Sequence, residues 1–394
     1  MNPRDLVLVD GVRTPMADYN GQLADLSALE LGARAARALF ERTGVAPSEV
    51  DHVVVGNVMQ TSLDAIYGAR HVALKAGVPK EIPALTVNRL CGSGIQAIVS
   101  GAHLIGAGEA TCCLVGGTEN MSQAPHVIYG ARRGFKLGQG KLEDSLMAGL
   151  LDSYCGFYMA QTSNNLARDY GITREQQDAF ALRSQRLAGE AWASGRLAEE
   201  VVPVTVGEGK RARTVERDDH LRPETTAEDL ARLPTAFDKD GFVTAGNASG
   251  IVDGAAMLLL GTAAWAKDRG LAPLGRLVSW AVVGVEPSRM GIGPAPAIRQ
   301  ALERAGMTLA DLDLVEVNEA FAGQVLAVVR ELDLDEERLN VNGGAIALGH
   351  PLGASGARIT LTLLKQLRRR GGGIGVASAC IGGGQGIALI VEAA

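Results

Sequence analysis

The chain writes one pattern twice. Val50-Asp51-His52-Val53-Val54-Val55-Gly56-Asn57 is matched near the other end by Leu312-Asp313-Leu314-Val315-Glu316-Val317-Asn318. Cys112–Gly117 parallels Ile374–Gly382, and a strand leading through a turn into a Gly-bearing helix recurs around Cys91 and around His350. A chain that repeats itself at this level points to a duplicated α/β unit. Two half-domains facing each other would bring the Cys91 and His350 turns together.

Local patterning agrees. Leu6–Val9, Val53–Val55, Ala84–Val87 and Cys112–Val115 read as strands; Leu29, Ala33, Ala36 and Phe40 recur at helical spacing. Ile95, Ile98, Val99, Ala102 and Ile105 describe a helix buried around most of its circumference. The C-terminal third repeats the scheme, with strands at Leu277–Val283, Leu314–Val317, Leu339–Val341, Ile374–Ala377 and Ile387–Val391. Helices are expected at Ile298–Ala305 and through Ile359, Leu363, Leu364 and Leu367, the latter closed by Arg368 to Arg370 and stopped at Gly371. Alternation of this kind argues for a mostly parallel sheet covered by helices. The middle is more polar, with a helix at Arg174–Trp192 and a charged stretch from Lys210 to Arg222. It reads as a cap inserted at about 121–245 into an N-terminal half of residues 1–271, followed by a C-terminal half of residues 272–394.

Composition excludes several classes of function. The 394 residues carry a net charge of -6, a poor basis for general nucleic-acid binding. No apolar run reaches the roughly 18–20 residues that span a bilayer, so no membrane role is expected. The start of the chain shows neither a secretory nor a transit pattern, and the expected address is cytoplasmic. Five cysteines without a CxxC pair argue against a disulfide framework or a zinc site. Neither a metal nor a redox cofactor is expected.

The chemistry concentrates where Cys, His and Gly cluster. In Asn88-Arg89-Leu90-Cys91-Gly92-Ser93-Gly94, the cysteine stands at a helix N-terminus. There the dipole and free N–H groups favour a thiolate, with a pKa below the ordinary value of about 8.5. In Ala347-Leu348-Gly349-His350-Pro351-Leu352-Gly353, His350 occupies the repeat position of Cys91. A His beside a Cys supplies the base that nucleophilic catalysis needs. Ser378-Ala379-Cys380-Ile381-Gly382-Gly383-Gly384 places a second thiol before a run of glycines, suited to proton transfer. Asn318-Glu319-Ala320-Phe321 ends a strand, where Asn318 could orient a water or cap a helix.

Together, in this order, these segments resemble the thiolase family along the whole chain, from Arg13-Thr14-Pro15 through Thr244-Ala245-Gly246-Asn247-Ala248-Ser249-Gly250 to Gly386. The closer likeness is to the mitochondrial-type 3-ketoacyl-CoA thiolases, carried by Asp64-Ala65-Ile66-Tyr67, Met121-Ser122-Gln123-Ala124-Pro125 and Lys141-Leu142-Glu143-Asp144-Ser145. The resemblance implies a thiolase fold: duplicated α/β half-domains with mixed sheets in α/β/α/β/α layers, plus a cap. It implies cleavage of 3-ketoacyl-CoA by coenzyme A, which is a substrate and not a cofactor. Cys91 would carry the acyl group and His350 would activate thiols. Cys380 would move the α-carbon proton, and Asn318 would hold a water. The N–H groups of Cys91 and Gly382 would form an oxyanion hole. Arg222, Phe237, Ser249, Met290 and Phe321 would contact coenzyme A. The family forms homodimers, often paired into homotetramers.

One departure bears on substrate. Acetoacetyl-CoA thiolases carry His-Met-Gly in the cap, where this chain has Tyr158-Met159-Ala160. That favours longer 3-ketoacyl chains. Asp229 replaces a small polar residue of some relatives, so no nucleotide contact is carried onto it. The alternatives are a biosynthetic acetoacetyl-CoA thiolase and a non-catalytic acyl-CoA binder. A ketosynthase would use Cys-His-His, and this chain has Asn318 at the position of the second His.

Overall fold

The computed structural model describes residues 5–393. Its main elements run β1 (Leu6–Arg13), α1 (Ala28–Thr43), β2 (His52–Gly56), α2 (Gly68–Lys75), β3 (Ala84–Val87), α3 (Ser93–Gly106) and β4 (Cys112–Glu119). An insertion carrying α4 (Met159–Asp169) and α5 (Arg174–Ala193) follows. The chain then continues through β5 (Val252–Thr262), β6 (Gly275–Gly284), α6 (Pro294–Ala305), β7 (Leu314–Val317), α7 (Ala322–Leu332), α8 (Leu352–Arg369), β8 (Gly373–Ile381) and β9 (Gln385–Ala393).

The strands lie in the order β7-β8-β9-β6-β1-β5-β4-β2-β3. Among the described residues β1 and β6 pair only at Val7–Arg276 and Leu8–Gly275, so the sheet is two sheets meeting at one short seam. Period-two burial sorts each strand between layers. Val53 and Val55 face an outer core with α1 and α2, while Val54 faces an inner one with α3 and α8. In the second half Leu389 and Val391 face the same inner core. Ala388 and Ile390 face a third core with α6 and α7. The result is the expected five layers.

The duplication is physical. Asp51 donates its N–H to the Cys112 carbonyl at 2.8 Å, and Asp313 donates its own to Ile374 at 2.7 Å. Their carboxylates then accept N–H groups of the partner strand, from Thr111 and Cys112 in one half and from Ile374 in the other. At the centre α3 and α8 cross with almost no side chain between them. A Cβ added at Gly94 would lie 2.3 Å from the Ala357 nitrogen, and one at Gly356 would lie 2.4 Å from the Ile95 nitrogen.

Three expectations change. The sheet is mixed and not mostly parallel: β2–β3, β2–β4 and β7–β8 are parallel, while the pairs made by β1, β5, β6 and β9 are antiparallel. The return strands arrive by the long insertion and by a tight turn at Gly382–Gly384, not by crossover helices. The long strand β5 goes unforeseen because both its faces are buried. Ala255, Met257 and Leu259 enter the outer core, while Ala256, Leu258 and Leu260 enter the inner one, which erases any polar alternation. No strand forms at Leu339–Val341, where Leu339 makes only an isolated bridge to Val315. Asn340 has φ +46, and its side-chain amide takes the ladder's place, accepting from the Val317 N–H and donating to the Val317 carbonyl, both at 2.9 Å.

The insertion is pinned to β1 by Arg13. This guanidinium is fully buried and bonds Glu200 at 2.6 Å and both carboxylate oxygens of Asp218 at 2.6 and 2.8 Å. Burial opposes its charge, but the two carboxylates outweigh that and raise its pKa above the ordinary value. Arg13→Gln strands two buried carboxylates, so it should cost about 3–5 kcal/mol. Chemical denaturation should show that loss, and a change under about 1 kcal/mol would contradict the pinning role.

Candidate active site

Cys91 stands at a strained turn. Leu90 before it has φ +45, a conformation costing about 1–3 kcal/mol in a residue with a side chain. The turn is locked by Ser93, whose hydroxyl accepts from the Arg89 N–H at 2.9 Å and donates to the Leu90 carbonyl at 2.7 Å. The backbone N–H groups of Gly382 and of Cys91 itself favour the thiolate form of Cys91. Gly382 comes this close because it lacks a side chain: a Cβ there would already meet Leu90 at 3.2 Å and the Met159 sulfur at 3.4 Å.

The expected low thiol pKa is not found. Burial, with a smaller push from the Glu119 charge, outweighs those N–H bonds and raises Cys91 to about 11. The same force acts on its neighbours. Burial first, then the charge of Cys91, pushes the Cys380 thiol up. Burial, aided by the positive Arg358, lowers His350 to about 3. The resting site is therefore thiol and neutral imidazole, not thiolate and imidazolium.

His350 is held in one tautomer. Ser355 Oγ lies 2.6 Å from His350 Nδ1 and gives its own proton to the Pro351 carbonyl at 3.0 Å. With that assignment the serine accepts from an imidazole N–H at Nδ1, and the lone pair lies on Nε2. Asn318 Nδ2 lies 3.3 Å from Nε2 as a donor. Among the described residues Asn318 Oδ1 is buried and has no protein hydrogen-bond partner. The backbone N–H of His350 is fixed to the Gly250 carbonyl at 2.9 Å.

An apolar wall completes the centre. Met290, Ala320 and Cys380 form a small buried cluster with Met159 and Phe321 against it. Ser249 joins this edge, its N–H bonded to the Ala320 carbonyl at 3.0 Å. Phe237, half exposed and at φ +68, packs its ring on Tyr158 with centroids 5.0 Å apart. Arg222 lies further out, exposed, its guanidinium bonded to Asp18 at 2.9 Å. His220 also bonds Asp18 and lies against Gly250, which connects Arg222 to the Ser249 loop. Thus Cys91, Gly382 and Cys380 lie together, and His350 lies against Asn318, whose own N–H bonds the Ser378 carbonyl two residues before Cys380. Met290, Phe321 and Ser249 line the centre, and Phe237 and Arg222 sit on the rim. Ser355, Met159 and Glu119 are site residues that motif reading passes over, although Ser355 lies in the same Gly-rich run as His350.

Residues 6–264 match the family description "Thiolase, N-terminal domain" and residues 271–393 match "Thiolase, C-terminal domain". The chain belongs to the thiolase family. It is 53% identical over 390 residues to the human "3-ketoacyl-CoA thiolase, mitochondrial", covering 99% of this chain and 98% of the relative. It is 50% identical over 388 residues to "Acetyl-CoA acetyltransferase" of Pseudomonas aeruginosa, covering 98% of each. The crystal structure of human mitochondrial 3-ketoacyl-CoA thiolase in complex with CoA superposes with a TM-score of 0.97 at 52% identity, covering 100% of this chain and 98% of that one. The chain is therefore an acyltransferase of the thiolase type. These findings overturn the cytoplasmic expectation: near relatives include proteins named as mitochondrial, so the missing presequence pattern assigns no compartment.

Alkylation of Cys91 by iodoacetamide in the substrate-free protein should keep accelerating above about pH 8.5, the ordinary thiol value, toward a midpoint near the value of about 11. A rate that levels off below pH 8.5 would show a preformed thiolate and contradict the neutral pair.

Proposed function

We propose that this thiolase is degradative: it cleaves 3-ketoacyl-CoA with coenzyme A, giving acetyl-CoA and a shortened acyl-CoA, the thiolytic step of fatty-acid β-oxidation. The observation that supports the reading is the thiol Cys91 beside Gly382 and the second thiol Cys380, together with the neutral base His350 held against Asn318 and Ser355.

The cycle uses these groups in turn. His350 Nε2 takes the Cys91 proton, and the thiolate attacks the 3-keto carbon. Donors on that carbon's oxygen, the N–H groups of Cys91 and Gly382, are each worth about 3–4 kcal/mol at the transition state. The bond between the 2- and 3-carbons then breaks, and its electron pair passes to the acetyl-CoA enolate. Asn318 and His350 are placed to stabilise the enolate oxygen, and Cys380 delivers the proton to the carbon. The shortened acyl group remains on Cys91 as a thioester. Coenzyme A gives its thiol proton to the Cys380 thiolate and attacks that thioester, and the departing Cys91 thiolate recovers its proton from His350.

Two features favour longer substrates. Tyr158, paired with Phe237, stands where acetoacetyl-type enzymes carry histidine. Met159, Met290 and Phe321 give the pocket an apolar wall. The biosynthetic acetoacetyl-CoA reading is the second one, favoured by the acetyltransferase relative at 50% identity. Phe237, Met290, Phe321, Ser249 and Arg222 are assigned to coenzyme A. Exposed Leu63, Ile66, Tyr67 and Leu85, and the loop residues Tyr129, Phe135, Leu137 and Leu142, support self-association into a homodimer or homotetramer.

Coenzyme A-dependent cleavage should rise from the four-carbon 3-ketoacyl-CoA to medium and long chains. Cys91→Ala should lower kcat by at least about a thousandfold. Preference for acetoacetyl-CoA would move the reading to the biosynthetic type.

A further inference from the structure

His350 owes its position to the loop that carries it, and that loop is gripped at both ends by fully buried carboxylates. On one side Glu319, adjacent to Asn318, accepts from the Ile346 N–H at 3.1 Å, four residues before His350. The same carboxylate accepts from Ser184 Oγ of α5 at 2.6 Å and from Asn340 Nδ2 at 2.9 Å. On the other side Glu119, at the end of β4, accepts from the Gly353 N–H at 2.9 Å, three residues after His350. It also accepts from the Val58 and Met59 N–H groups at 3.1 and 3.0 Å and from Asn57 Nδ2 at 3.1 Å. Neither carboxylate has a salt-bridge partner among the described residues. Each spends its acceptor capacity on uncharged backbone, amide and hydroxyl donors, which is how a buried acid fixes loops.

We propose that Glu119 and Glu319 are paired positioning residues, one from each half of the duplicated fold, that clamp the His350 loop at Gly353 and Ile346 and so fix the imidazole against Asn318 and Ser355. Glu119 has a second connection to the chemistry, since its charge raises the Cys91 thiol. Asp253 on β5 is the other carboxylate that Glu119 faces. This assignment rests on the catalytic reading of His350 given above, but the clamp can be tested without it.

The test uses the full-length protein and the variants Glu119→Gln and Glu319→Gln. Hydrogen exchange followed by mass spectrometry reads the clamp directly. The peptide spanning Gly343 to Gly356 should exchange at least about tenfold faster in either variant, with α3 unchanged, because a glutamine leaves one uncharged acceptor oxygen for donors that two carboxylate oxygens served and turns an NH2 group on the rest. Thiolysis of a medium-chain 3-ketoacyl-CoA reads its consequence. The kcat should fall by about a hundredfold, as small displacements of a base do, while KM stays within about twofold. Alkylation of Cys91 should shift its midpoint down in Glu119→Gln and not in Glu319→Gln. Unchanged exchange in the loop, or wild-type kcat in both variants, would overturn the proposal. If the variants do not fold, Asn57→Ala and Ser184→Ala each remove one side-chain donor and leave the charge in place; Ser184→Ala also frees the Gly344 N–H, so exchange is then read from Ala345 to Gly356. Faster exchange of that segment is expected, and wild-type exchange in both overturns the clamp. An inactive wild-type protein whose loop still loosens in the variants would refute the catalytic reading alone.

Discussion

Everything in this molecule hangs on a close contact between two backbones. α3 and α8 cross at Gly94 and Gly356, where an added methyl would fall within 2.3 or 2.4 Å of the opposite chain. Gly94 lies in the first turn of α3 and Gly356 in the second turn of α8. The residues just ahead of those helices, Cys91 and His350, are therefore brought together by the same contact that forms the central core. Gly382 and Asn318 arrive from strand ends of the second half, so the site lies on the seam between the two repeats. A larger residue at either glycine would part the helices and the reacting groups with them.

Burial then sets the chemical state. A helix N-terminus and two N–H groups favour a thiolate on Cys91, and in water they would prevail. Here the desolvation they work against is larger, and the thiol remains protonated at about 11. His350, lowered to about 3, is a base without a proton to give. A neutral thiol and a neutral imidazole in one site can exchange a proton once a substrate carbonyl offers the resulting charge a place among the N–H donors. Charge appears when the reaction needs it and is sheltered from water at other times.

Much of this was legible in the sequence, and the exceptions share a cause. The repeat, the helices and the catalytic turns leave local signatures: an Asp before a β-branched run, a Cys or His set among glycines, a capped amphipathic helix. β5 left none, because both its faces are buried and its apolar residues form an unbroken run. The strand expected at Leu339–Val341 failed because one amide, that of Asn340, substitutes for a ladder. The thiol state was misjudged for a similar reason: the dipole is local and readable, whereas the burial that overrides it comes from elements far apart in the chain. Ser355, Glu119 and Glu319 act through contacts that only the folded chain reveals.

The direct test is to find the acyl group itself. The protein is mixed with a 3-ketoacyl-CoA in the absence of free coenzyme A, quenched and mapped by peptide mass spectrometry, beside a His350→Ala variant. An acyl group one acetyl unit shorter than the substrate should appear on the Cys91 peptide, and the variant should carry little or none. Acylation of Cys380 in place of Cys91, or equal labelling with and without His350, would contradict a Cys91 nucleophile activated by His350.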